Sequence, residues 1–198
     1  MKKKVTFIFL VAFCIQLIVA CCNCPEPTIY QYKFEYVAAF NVDNSKANPI
    51  ISESPIPRKA YGIKLQIGLR QLAMRNHNKF SLLNQVCAFD CFCGPDTTIT
   101  PRDTITALKI TTVANFNDQY PAGSDVSGLF KLLRSDTYIA IDSVIAKPDI
   151  YFTRTDTKFL ELYLLTPPDR AEKYSFKIDM VLSNGTQISA STKPIDLE

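Results

Sequence analysis

The chain has no tryptophan, one histidine and only six glycines among its 198 residues, and each scarcity excludes something. A nucleophile–base–acid hydrolase would have to be built around the sole imidazole, His77 in Arg75-Asn76-His77-Asn78-Lys79, and no Gly-x-Ser-x-Gly elbow supplies its nucleophile. His77 therefore reads as an exposed loop residue. The glycines do not form a phosphate-cradling loop. Missing tryptophan weakens a carbohydrate platform without removing it, because tyrosine also stacks on sugars. Apart from Cys21-Cys22-Asn23-Cys24 at the end of the first apolar run, no C-x-x-C is present, which argues against a thiol redox centre in the body of the chain. No long amphipathic helix, βαβ rhythm, internal repeat or low-complexity tract appears. Glycoside hydrolysis, which needs only two carboxylates, survives these absences. Glu161 is the most notable acid, since it sits inside an apolar strand, although an outward face accounts for it equally well.

What is present begins with the first residues. Lys2, Lys3 and Lys4 precede an apolar run from Val5 to Phe13 that continues to Val19-Ala20 and meets Cys21-Cys22-Asn23-Cys24. A basic segment, a short apolar core and a small residue before a cysteine describe an export signal rather than a spanning helix. Ile18-Val19-Ala20-Cys21 looks like a bacterial lipobox, which implies cleavage before Cys21 and lipid attachment to it. The expected organisation is a signal peptide over 1–20, a lipid-anchored tether over 21–27 and a single domain over 28–198. Several acyl chains would hold the protein to a bilayer where one binds only reversibly. Cys22 is not the aspartate that commonly retains lipoproteins at an inner membrane, so the implied location is the outer membrane, periplasmic or surface-facing. The formal charge of +3 comes from the three signal lysines; without them, basic and acidic residues balance at 19 each. Nothing in that balance suggests a nucleic-acid partner.

Of seven cysteines, Cys14 leaves with the signal and Cys21 carries lipid. Cys22, Cys24, Cys87, Cys91 and Cys93 remain, and an oxidising compartment makes disulfides their default role. A bond from Cys24 to the later cluster is preferred, and by loop-closure entropy it would contribute roughly 3–5 kcal/mol. The pairing itself stays open. Metal binding is the rival, but the spacing lacks paired C-x2-C knuckles and neither cluster contains histidine. No metal and no cofactor is expected.

The body reads as strands. Tyr30, Tyr32, Phe34 and Tyr36 alternate with polar residues over 28–40, which predicts an aromatic inner face. Residues 41–58 read as a long loop. Tyr61, Ile63, Leu65, Ile67 and Leu69 form the cleanest apolar alternation. Residues 71–85 show no sustained period and allow a helical turn. Gly94-Pro95-Asp96 marks a turn, and 104–113 a strand with Leu108 and Ile110 on one face. Gly123-Ser124-Asp125 opens a short helix capped by Ser124, with Val126, Leu129, Phe130 and Leu133 buried. Residues 137–145 read as a strand, and 159–165 as a strand buried on both faces. Phe176, Ile178, Met180 and Leu182 followed by Asn184-Gly185 make the strongest hairpin signal. Asn117, Asp118 and Asp125 offer oxygens for calcium, but turn formation and capping explain them more simply. The fold class is all-β, an immunoglobulin-like, embellished β-sandwich with long loops and one short helix.

Cys24-Pro25-Glu26-Pro27, Ala114-Asn115-Phe116-Asn117 with Tyr120-Pro121-Ala122-Gly123-Ser124, and Leu182-Ser183-Asn184-Gly185-Thr186 with Thr192 together resemble an uncharacterised family of Bacteroidetes lipoproteins. The resemblance implies an exported, mainly β protein of unknown activity and brings no catalytic residue with it. The functional expectation is a non-enzymatic binding or structural module held to the bilayer by its acylated N-terminus, with an envelope protein or glycan as partner. The alternatives are a glycan-binding component of a surface uptake system, requiring an exposed Tyr or Phe patch flanked by Asn or Asp, and a carboxylate-dependent glycoside hydrolase.

Overall fold

The computed structural model describes Val11 and residues 28–75, 97–134, 137–145 and 157–198. Two compact units divide the chain: Met1–Tyr30 with Ala73–Ile99, and Gln31–Leu72 with Thr100–Glu198. Every buried apolar side chain among the described residues belongs to the second unit.

The fold is an all-β sandwich. Its large sheet has the order β2 (Ile50–Ile51), β1 (Thr28–Asp43), β3 (Tyr61–Arg75), β8 (Thr157–Leu164), β6 (Phe130–Arg134), β7 (Thr137–Ala140), with β4 (Thr97–Pro101) also paired to β1. A second sheet runs β11 (Gln187–Ser191), β10 (Phe176–Leu182), β5 (Ile105–Thr112), and β12 (Ile195–Leu197) pairs with β9 (Glu172–Tyr174). The odd residues of β3 from Tyr61 to Leu69 are all buried, and so are Phe176, Ile178, Met180 and Leu182 of β10. These two alternating faces meet between the sheets. The Phe176 ring lies 5.4 Å from both Tyr61 and Phe130, and Phe116 closes the cluster from a loop at 6.5 Å. Burying each such ring contributes roughly 1.5–3 kcal/mol. The Tyr61 hydroxyl donates to Asn41 Oδ1 at 2.7 Å, and Asn41 Nδ2 donates to the Lys193 carbonyl at 2.9 Å, so this buried polar pair is satisfied.

The Asn-Gly hairpin is present: Leu182 and Thr186 close it, and Gly185 takes φ 81° where a side chain would be strained. In β5 the burial pattern skips a residue. Val181 faces Ala107 while Leu182 faces Ile105, a bulge at Thr106 that keeps Ile105 and Leu108 on the core side.

Several local expectations are corrected. Residues 41–58 are not one loop, because β1 runs on to Asp43 and pairs with Ile50–Ile51, and Ile56 is buried in a bridge to Leu197. No helix starts at Ser124, whose carbonyl accepts from Thr112 N and whose N–H donates to the Pro121 carbonyl. A single 3-10 turn covers Ser127–Leu129, and Phe130 opens β6, which leaves Leu133 on the solvent side. Pairing with β8 and β7 takes precedence over the helical period there. The one described α-helix, α1 (Ile141–Ile145), instead ends the segment that read as a strand. Ile141 and Ile145 stand four residues apart on one helical face and line a gap of about 10 Å³ between the sheets. The strand at 61–69 continues to Arg75 in place of a break at residue 71. The turn at residues 94–96 lies outside the described residues.

Candidate functional site: an aromatic face on the large sheet

The register of the large sheet decides which side chains share its outer face. Gln66 of β3 faces Phe159 of β8, Lys64 faces Glu161, and Gly62 faces Tyr163. Tyr163 in turn faces Lys131 of β6, and Leu133 faces Tyr138 of β7. Partners across a ladder point to the same side, so all of these lie opposite the buried odd residues of β3. Tyr36 of β1 joins them. The expected inner-face alternation of β1 holds for Tyr32 and Phe34 but changes phase afterwards. Tyr36 is 43% exposed while Val37 is buried. Likewise β8 is buried on both faces only over 162–164, since Phe159 is 54% exposed.

Two glycines shape this surface. A Cβ at Gly68 would lie 2.1 Å from the Tyr36 ring, so the ring occupies the space a side chain would need and lies against the backbone. At Gly62 a Cβ would meet the Leu162 carbonyl at 3.0 Å and the Tyr163 ring at 3.1 Å. Both rings are thus seated low on the sheet by missing side chains on β3.

The contacts form a continuous stripe. Gln66 Nε2 donates to the Tyr36 hydroxyl at 3.2 Å. The Lys64 ammonium lies 4.9 Å from the centroid of Phe159 and 2.9 Å from Glu161 Oε1. The Tyr163 hydroxyl donates to Glu161 Oε2 at 2.9 Å, and its ring meets Tyr138 edge-to-face at 6.4 Å. Desolvation pushes the Glu161 carboxyl upward, but donation from Lys64 and Tyr163 and the Lys64 charge together outweigh it and hold the group below its ordinary value. Burial first, and then the neighbouring Glu161, raise Tyr163 and keep its phenol protonated as a donor. Arg70 and Glu35 make a second ion pair at 3.2 Å.

A family model described as Domain of unknown function (DUF5034) matches residues 35–193. The chain belongs to the DUF5034 family. No curated protein matches it. Two solved chains show slight likeness: BspA_C_mut, at 9% identity and TM-score 0.25, and BspA_C_WT, at 11% and 0.21. Each match covers 83% of this chain and 46% or 50% of the solved one, so the chain spans about half the length of those proteins. Likeness at that level says nothing about activity.

In this DUF5034 protein the matched span contains the whole aromatic stripe. Cys21, Cys22, Cys24, Cys87, Cys91, Cys93 and His77 all lie outside the described residues. Glu161, singled out by its place in an apolar strand, lies at the centre of the stripe on the outward face. The aromatic patch is present, but Lys64, Gln66 and Glu161 flank it in place of Asn or Asp. Asn117 and Asp125 serve turns: Asn117 Oδ1 accepts from the N–H groups of Gln119 and Tyr120, and Asp125 Oδ1 from the N–H and hydroxyl of Ser127. Among the described residues no three His, Cys, Asp or Glu side chains converge as metal ligands. One concave site of about 400 Å³ holds two acids, Asp169 and Glu198, beside Arg58, Lys59 and three prolines. Both acids are exposed, whereas a general acid is kept protonated by apolar burial. The aromatic positions escaped sequence reading because Tyr36 and Phe159 fit an inward pattern equally well. The signal that was available is the pair of glycines at even positions of β3.

Proposed function

We propose that this DUF5034 protein is an exported, lipid-anchored, non-enzymatic module of the cell envelope that binds its partner across the outer face of the large sheet. The basic segment, short apolar core and Ala20-Cys21 junction support export and acylation at Cys21, with the outer membrane as destination. The observation that carries the binding reading is the stripe itself. It brings together exposed Tyr36, Phe159 and Tyr138 with a satisfied Lys64–Glu161–Tyr163 network on one sheet face. Exposed aromatic residues grouped on one sheet face are costly to leave in water unless they serve an interface. Glu161 is held ionised, the opposite of the raised carboxyl a glycosidase acid requires.

Two measurements test this. Intact mass and thiol mapping of the protein from its native membrane should give an acylated Cys21 and a bridge from Cys24 to the 87–93 cluster. A free N-terminus with reduced thiols and bound metal would overturn the lipoprotein reading. With the anchor held in detergent, the envelope protein or glycan that co-purifies with the full chain should fall when Phe159 and Tyr138 are both replaced by alanine; unchanged co-purification would remove the face from the mechanism.

A further inference from the structure

We infer that the face takes an extended, uncharged glycan chain laid obliquely across the strands; this rests on the binding reading above and names its ligand class. Three features of the stripe point the same way. The first is ring presentation. Tyr36 is pressed against Gly68, so one ring face is spent on the sheet and the other opens to solvent, and Phe159 and Tyr138 are about half exposed beside it. Open ring faces suit the apolar C–H faces of sugar rings.

The second is spacing. Tyr36 sits at the level of Gly68 on the β1 side, Phe159 opposite Gln66, and Tyr138 three strands beyond β3 at the level of Lys64. With strands about 4.8 Å apart and about 3.4 Å per residue, Tyr36 and Tyr138 stand on the order of 20 Å from one another. One sugar cannot reach both; a chain of several can.

The third is charge. The two cations that β3 places on the stripe are already neutralised, Lys64 by Glu161 and Arg70 by Glu35, while Lys131 of β6 stands at its edge beside Tyr163. A polyanion would have to displace Glu161 from Lys64, or Glu35 from Arg70, to gain either of those central contacts. A neutral chain needs no such exchange: the Glu161 oxygens can accept further hydrogen bonds from sugar hydroxyls, and Gln66 and Tyr138 supply amide and hydroxyl groups on either side.

The test uses the full chain purified in detergent from its membrane, with a panel of neutral polysaccharides (β-glucan, α-mannan, galactan), their size-graded oligosaccharides and a polyuronate. Binding to a neutral polymer is expected, with affinity rising along the oligosaccharide series until the chain spans the rings. Phe159→Ala should weaken the long chain about tenfold, the worth of one aromatic contact. Gly68→Ala keeps every ring but drives a Cβ into Tyr36. It should erase the gain from chain length while leaving short-oligosaccharide binding in place, and circular dichroism of each variant verifies its fold. Equal affinity for disaccharide and long chain would overturn the extended-chain inference alone. Preference for the polyuronate would overturn its charge. If no neutral polymer binds while Phe159→Ala still lowers the envelope material that co-purifies with the chain in detergent, the ligand is not a glycan and only the binding reading stands. If neither occurs, both fall.

Discussion

The two faces of β3 come from one run of fifteen residues, yet they are assembled by different rules. The inner face is made by β3 itself: Tyr61, Ile63, Leu65, Ile67 and Leu69 recur at every second position, and any apolar partner of about the right volume could cover them. The outer face is made mostly by its neighbours. There β3 contributes two glycines, a lysine, a glutamine and an arginine, while the rings arrive from β1, β8 and β7. One face is held by burial and must be intact for folding. The other is held by register and open contacts, so it can change without unfolding the domain. That separation is what allows a surface to be specialised for binding.

Four substitutions would break or sharpen this contrast, in descending effect. Phe176→Ala empties the centre of the ring cluster between the sheets and should cost about 3–5 kcal/mol, read as a lowered urea midpoint or outright failure to fold. A loss below 1 kcal/mol would mean that the inner face is not the source of stability. Tyr61→Phe keeps the ring but leaves buried Asn41 Oδ1 without its donor, and about 1–3 kcal/mol should disappear in equilibrium unfolding. Gly185→Ala, at φ 81° in the hairpin, should cost about 1 kcal/mol without touching either face, which calibrates local backbone strain against packing.

The smallest effect is expected on the outer face. Lys64→Met removes a half-buried but solvent-screened ion pair and should change stability by about 1 kcal/mol. Its signature lies in the pH profile. The folded Glu161 carboxyl is held below its unfolded value, so its contribution is present above the ordinary carboxylate range and is lost as pH falls through the folded value. Unfolding curves of Lys64→Met should show a shallower loss of stability in that acidic window than the parent chain. An identical slope would show that the Lys64 contact does not hold Glu161 ionised.

How much of this was legible can be traced to particular residues. Strand β3, the face of β10 and the Asn184-Gly185 hairpin follow from period and turn chemistry, because both are local properties. Helix α1 and strand β6 were exchanged for one another. Val126, Leu129, Phe130 and Leu133 satisfy a helical period by chance, and only the ladder to β8 makes Phe130 and Leu132 the inward pair. Short segments such as β2, β9 and β12 carry too few residues to show any period. The candidate site was legible at a single residue, Glu161, as a charge inside an apolar strand.

The sequence by itself determined the chemistry of each strand: which positions are apolar, where the chain turns, and that Gly62 and Gly68 leave two gaps between the side chains on one side of β3. Those are properties of residues and their nearest neighbours. Which face each aromatic ring took was decided only in the tertiary structure. Alternation defines two sides of a strand but does not say which is covered, and a phase change like the one between Phe34 and Val37 has no local mark. Only the register that sets Phe159 against Gln66, and the packing of Tyr36 onto Gly68, turned scattered aromatic residues into one surface.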